Sequence, residues 1–347
     1  VEEDTYKGES PGKKYARLQF WLRVSNMLGQ KRFVGSKHLV LASREGGDVS
    51  VLRGLGVPAK NIIAVDHNRQ AAFEAQEKFP EVEVIVADVA DVAKEYKRQF
   101  ASTFLDFCAP VREELLEKVV EVMTWGLGND SALGAAFLNG REKGQMIEVL
   151  KKEKERFNTA LSRMADLPDE SLLQTYAPED APDWPEPKKR AYLERIRKDL
   201  IEHMSDSEAP LTRATYVDYE LIRRGTPRRC APVAVSFMSY VSATKDSKGV
   251  PMFIYLGKVV RGLPGTAPHK FSRALAKEKW GGGSPSVMSF ELDDAGLRDM
   301  VLRGFEGLDE EQVKARWDRM PFHLLLNVPK AKISAWRAHK TMGTYDR

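Results

Sequence analysis

The sequence predicts an α/β protein built on a doubly wound, mostly parallel sheet. Three observations carry that expectation. Short apolar runs recur between residues 38 and 138, helix-type segments lie between them, and glycines or aspartates stand where the runs end. A short continuous apolar run suits a strand buried on both faces of a sheet. Alternation of such runs with helices favours parallel pairing through right-handed crossovers, which place helices on both faces.

Taken in order, residues 1–14 read as a flexible arm containing Pro11-Gly12. Residues 15–29 read as a helix, with Leu18, Trp21, Val24 and Leu28 on an apolar stripe that Ser25 interrupts. The first strand is the run from His38 to Ala42, followed by a turn at Glu45–Asp48 and a helix from Val49. Asn61–Asp66, Val82–Asp88, Thr103–Asp106 and Ala132–Leu138 supply four more strands. Helices are expected between them at 68–79, 89–99 and 111–125, and a Lys/Glu-rich one at 144–164. From Asp166 to Lys189 five prolines (168, 178, 182, 185 and 187) alternate with acidic residues, which reads as a long surface loop or linker. A charged helix follows at 189–204. Val233–Val241 and Pro251–Val260 read as a hairpin with a basic tip, completing the sheet. Beyond the Gly281–Pro285 break, helices are expected at 309–319 and 330–342. The implied division is 1–36 for the arm and first helix, 37–165 for the α/β core, and 166–190 for the acidic proline-rich stretch. The basic region with the hairpin takes 191–280, and a helical region takes 281–347.

Composition narrows the function classes. A chain of 347 residues, 42% hydrophobic and 30% charged, can bury a sizeable core and is near the length at which chains divide. No stretch reaches membrane-spanning length, and the acidic start (Val1, Glu2, Glu3, Asp4) is unlike a secretory signal. Cys108 and Cys230 alone cannot make a disulfide scaffold or a cysteine-rich zinc site, so a cytoplasmic protein is expected. The six histidines lack metal-ligand spacing, and no metal is expected. Residues 37–150 carry net −5, whereas residues 212–280 carry net +9. That asymmetry suits a polyanionic partner such as nucleic acid, although a solvated basic face without a partner would look the same.

Open sheets bind ligands outside the carboxyl ends of their strands. There the candidate cofactor residues are Ser43, Glu45, Gly46, Gly47 and Asp48 in the first turn, Asp66 and His67 after the second strand, and Asp88 and Val89 after the third. Glycines allow close backbone approach, and a carboxylate after the second strand can accept both hydroxyls of a ribose. The plainer reading of a lone strand-end aspartate is a helix cap. The turn lacks Gly-x-Gly-x-x-Gly, and there is no Gly-Lys-Ser/Thr phosphate loop.

At these residues the sequence resembles the class I S-adenosylmethionine-dependent methyltransferase superfamily. The first-strand motif is similar to Leu39–Asp48, the ribose position to Asp66, the adenine position to Asp88, and the fourth-strand motif to Asp106-Phe-Cys-Ala-Pro110. The resemblance implies a methyltransferase-like fold with a terminal antiparallel hairpin, S-adenosylmethionine as cofactor, and Asp106 and Phe107 as catalytic candidates. In layout the chain is also similar to small bacteriophage proteins, which would place it in a host cytoplasm. Ala42 stands where the family has an acidic residue, and Arg44 and Asp48 interrupt its glycine spacing. Either Glu45 and Asp48 replace that acidic contact, or the pocket has lost cofactor affinity.

Nucleic acid is the expected substrate. Arg228, Arg229, Lys245, Lys248, Arg261, Lys270 and Arg273 are the backbone-contacting candidates, and Tyr240, Tyr255 and Trp280 are candidate stacking residues that packing would explain as well. The alternative function is a non-catalytic nucleic-acid-associated or assembly protein that retains the fold. Residues 330–342 could form a recognition helix or a docking helix for a protein partner.

Overall fold

The computed structural model describes residues 10–138, 168–176, 184–205, 210–242, 249–262 and 286–290, with isolated positions between 148 and 166. The expected helices at 309–319 and 330–342 lie outside the described residues, as does most of the one at 144–164.

The chain enters through α1 (Pro11–Leu28) and a short α2 (Gln30–Gly35). Strands and helices then alternate: β1 (Lys37–Leu41), α3 (Gly47–Gly54), β2 (Ile62–Asp66), α4 (Arg69–Lys78), β3 (Glu83–Val86), α5 (Val89–Tyr96), β4 (Phe100–Pro110), α6 (Glu113–Gly126) and β5 (Leu127–Leu138). After α7 (Asp169–Tyr176), α8 (Glu186–Ser205) and α9 (Pro210–Gly225), the hairpin strands β6 (Cys230–Ser242) and β7 (Val250–Arg261) return to the sheet. A strand not expected from the sequence, β8 (Ser286–Phe290), follows.

The sheet order is β3-β2-β1-β4-β5-β7-β6-β8. Strands β1 to β5 pair in parallel, β7 is antiparallel to both β5 and β6, and β8 is parallel to β6. This is a mixed, mostly parallel sheet with a methyltransferase-like strand order. Beneath α1, Phe20, Trp21, Phe33 and Phe104 are fully buried, and Phe20 lies 4.3 Å from Phe104 between ring centroids. Burial of each such ring contributes about 1.5–3 kcal/mol. α5 and α6 pack on one another and on β2, β4 and β5.

The proline-rich stretch read as loop or linker contains α7 and the start of α8. Proline is tolerated in a first helical turn, where the missing N–H has no partner to lose. Asn139–Val217 forms its own compact unit, in which Leu172, Leu193 and Ile196 make a small core and Arg197 meets Asp169 at 2.7 Å. Val1–Leu138 and Asp218–Arg347 form the other. No helix among the described residues is long and apolar enough to cross a membrane.

Candidate functional site at the carboxyl edge of the sheet

Helix α1 starts earlier than its apolar stripe implies. Ser10 caps it by accepting the Lys13 N–H at 3.2 Å, and Pro11 occupies the first turn. Lys13, Arg17 and Trp21 are spaced four apart and therefore share one face. All three send polar atoms to the carboxyl edge of the sheet. Lys13 Nζ lies 2.9 Å from Asp106 Oδ2. Arg17 spans both acids, its Nε 3.0 Å from Asp48 Oδ1 and its Nη2 3.4 Å from Asp106 Oδ2. The Trp21 indole donates to Asp48 Oδ1 at 2.8 Å.

The cluster is buried: among the described residues two cations meet two carboxylates, and the Arg17 and Asp106 side chains are 3% and 8% exposed. Burial pushes the Asp48 carboxyl above its ordinary range, and Arg17 and Trp21 offset this only in part. Asp106 faces the same burial, but the charges of Lys13 and Arg17 and hydrogen bonds from Lys13 and Cys108 hold it below that range.

Strand β4 is distorted here. Four steps along it, from Asp106 to Pro110, match two along β5, from Ala136 to Leu138, and Cys108 in the bulge has a left-handed φ of 47°. The bulge turns the Cys108 thiol toward Asp106 Oδ1 at 3.3 Å, with Lys13 Nζ 3.2 Å from the sulfur. Burial above all, with the Asp106 charge, pushes the thiol up to about 12, so it is a neutral donor and not a nucleophile. Phe107 points the other way, its ring 5.6 Å from Phe137 on β5. Asp106 and Phe107, expected as a catalytic pair, are thus on opposite faces of the sheet.

The expected cofactor residues separate into three groups. In the first turn, Ser43 Oγ accepts the Gly46 N–H at 3.1 Å, and the exposed Glu45 pairs with Lys78 at 3.0 Å. Gly46 is left-handed at φ 56°, and a Cβ there would stand 2.1 Å from the Phe79 ring. The room that this glycine leaves is therefore taken by the chain itself. Gly47 and Asp48 are buried in the start of α3. Asp66 Oδ1 accepts the Asn68 N–H at 2.8 Å, with the exposed His67 ring 3.6 Å away. Asp88 caps α5 by accepting the Ala90 N–H at 2.9 Å and pairs with Lys118, while Val89 is buried. Burial raises the Asp88 carboxyl, but the hydrogen bonds from Lys118 and Ala90 outweigh it and carry it below the ordinary range.

In this arrangement the residues expected to hold S-adenosylmethionine are engaged with one another and with α1. A donor presented between the ends of β1 and β4 needs space beside Asp48 and Asp106, and the Arg17 guanidinium bridges that gap. Lys13 and Arg17 had no place in the sequence expectation, which searched strand ends and counted only apolar positions on the first helix. Their signal was the Ser10-Pro11 start, followed by a Lys-Arg-Trp face.

Of the basic candidates, Arg228, Arg229 and Arg261 are described. Arg228 and Arg229 precede β6 and Arg261 ends β7, so all three are at the amino edge. Lys245, Lys248, Lys270, Arg273 and Trp280 lie outside the described residues. Arg228 pairs with Glu117, and Arg224 with Glu220 and Glu117. Arg261 donates to the carbonyls of Met123, Thr124 and Leu127 at 2.6–2.8 Å, which ties the end of α6 to the hairpin. Tyr240 and Tyr255 are buried, and the Tyr255 hydroxyl bonds to Asp218 at 2.8 Å.

No family model and no curated protein matches the chain. Solved structures similar to it include the plantazolicin methyltransferase with S-adenosylhomocysteine, at 11% identity over 72% of this chain and 84% of that one, TM-score 0.36. An O-methyltransferase from Bacillus cereus, also with S-adenosylhomocysteine, matches at 12% identity over 74% and 84%, TM-score 0.34. An rRNA methylase from Streptococcus thermophilus matches at 11% identity over 70% and 94%, TM-score 0.31. At these scores the likenesses carry no argument about chemistry; the strand order describes what this chain is: a Rossmann-like fold resembling class I methyltransferases.

Proposed function

We propose that the chain is a non-catalytic, nucleic-acid-associated protein that uses the methyltransferase fold as a scaffold. One observation supports this reading above the others. Arg17 joins Asp48 to Asp106, so the two acids expected to serve cofactor and acceptor neutralise α1 instead. The net +9 of residues 212–280 supports a polyanionic partner. Incubation with methyl-labelled S-adenosylmethionine and single- or double-stranded nucleic acid should leave the acceptor unlabelled. Incorporation of label by the wild-type chain, lost in Asp106→Ala, overturns the reading.

A second reading, a S-adenosylmethionine-dependent methyltransferase acting on nucleic acid, is favoured by a different observation. Buried charges and left-handed non-glycine residues are costly and concentrate at functional sites. Lys13, Arg17, Asp48, Asp106 and Cys108 gather at this edge. That reading requires α1 to withdraw before any ligand enters, and the labelling experiment separates the two.

A further inference from the structure

The amino edge of the sheet holds a site that the strand-end expectation did not consider. The turn between α5 and β4 and the last turn of α6 line a cavity of 490 Å³ with Lys94, Lys97, Arg98 and Trp125. That volume is within the range of small-ligand sites. Trp125 is 46% exposed, whereas Trp21 is fully buried.

The backbone around it is held at a cost. Lys97 and Arg98 are consecutive left-handed residues, with φ of 46° and 68°. Side chains other than glycine adopt that region at a penalty, and such strain clusters at ligand clamps. The Arg98 N–H donates to the Trp125 carbonyl at 2.6 Å, so the strained turn is fastened to the residue whose ring it flanks. Among the described residues, Lys97 and Arg98 make no ion pair, whereas Lys94 is tied to Asp91 and Glu121 at 3.5 and 3.4 Å. A third left-handed cation, Arg229 (φ 55°), precedes β6 on the same edge. Glycine would meet the backbone demand at all three positions more cheaply, and solubility alone does not require charge there.

We propose that this cavity binds a nucleotide, free or within a single nucleic-acid strand, with the base stacked on Trp125 and the phosphate held by Lys97 and Arg98. An indole face beside two unpaired cations matches a planar base carrying a phosphate, since stacking and backbone charge are the two terms of sequence-tolerant recognition. The proposal deepens the nucleic-acid reading and rests on it for the ligand class.

The test titrates the full chain at low salt with uridine 5′-monophosphate, uridine, inorganic phosphate and a labelled oligouridylate. None contains adenine or a methionine tail, and Asp66→Ala, which would weaken ribose binding at the carboxyl edge, should leave the affinity unchanged. Saturation by uridine 5′-monophosphate identifies a free-nucleotide site, and saturation by the oligouridylate alone identifies a strand site. Uridine and phosphate should each bind far more weakly. Trp125→Ala should lower affinity about tenfold, and Trp125→Phe should restore most of it. The double variant Lys97→Gly/Arg98→Gly should also lose about tenfold without a lower thermal midpoint, because glycine suits both dihedrals. Wild-type binding that neither Trp125→Ala nor the glycine pair weakens overturns this site and leaves the nucleic-acid reading standing. A wild-type chain that binds neither nucleotide nor oligouridylate overturns this site, and failure to bind duplex DNA as well overturns the nucleic-acid reading.

Discussion

At the scale of single residues, Arg17 organises the carboxyl edge. Among the described residues it is the one side chain paired with both Asp48 and Asp106. Its removal leaves buried carboxylates short of a cation, which is more damaging than loss of an exposed pair. Arg17→Ala should therefore destabilise the chain by about 3–5 kcal/mol in urea unfolding; a loss below about 1 kcal/mol, the range of a surface pair, would show that solvent reaches the cluster. His38 is a second buried polar residue, but an inert one. Its Nδ1 faces Ser102 Oγ and its Nε2 faces the Phe33 carbonyl, both at 2.6 Å, which selects the neutral ring with its proton on Nε2. Burial above all lowers its pKa from the ordinary 6.5 to about 4. Below pH 6.5 the unfolded chain takes up a proton that the folded ring refuses until about pH 4, so stability should fall as pH drops through that window. The slope is about 1.4 kcal/mol per pH unit. His38→Gln should flatten the profile between those limits; an unchanged slope would assign it to other groups.

At the scale of elements, α1 shows where the sequence was readable and where it was not. Its apolar stripe at Leu18, Trp21, Val24 and Leu28 was legible because burial follows helical spacing. Its charged residues were not, because a Lys and an Arg on such a helix normally point to solvent. Only the position of Asp48 and Asp106, set by the sheet, makes their burial affordable. Strands β1, β2, β4 and β5 were legible as apolar runs because they are largely buried, and the edge strand β3 was legible although only partly covered. Strand β8 and the helices of the proline-rich stretch were not, because pairing and capping override weak local preference there. The seat of α1 can be tested at Gly134 on β5, where a Cβ would stand 2.3 Å from the Phe20 ring. Gly134→Ala should cost about 1–3 kcal/mol through overpacking and raise hydrogen exchange in α1. Unaltered α1 exchange would show that the helix does not depend on this close approach.

At the scale of the whole molecule, the sheet separates two chemistries. At its carboxyl edge, where open α/β sheets receive ligands, α1 is tied to Asp48 and Asp106 by buried ion pairs. Its amino edge carries Lys97 and Arg98 in a left-handed turn beside an exposed Trp125, and Arg229 in another before β6. The net charge read from the sequence did not distinguish these cases. Among the described residues, Arg224, Arg228 and Arg261 are engaged by Glu220, Glu117 and helix-end carbonyls, which only the fold reveals. Closure of the carboxyl edge is the central claim, and calorimetric titration of the full chain with S-adenosylhomocysteine tests it most directly. The Arg17 bridge predicts no saturable heat up to about 1 mM ligand. Stoichiometric binding with a micromolar Kd, weakened by Asp66→Ala, would contradict it.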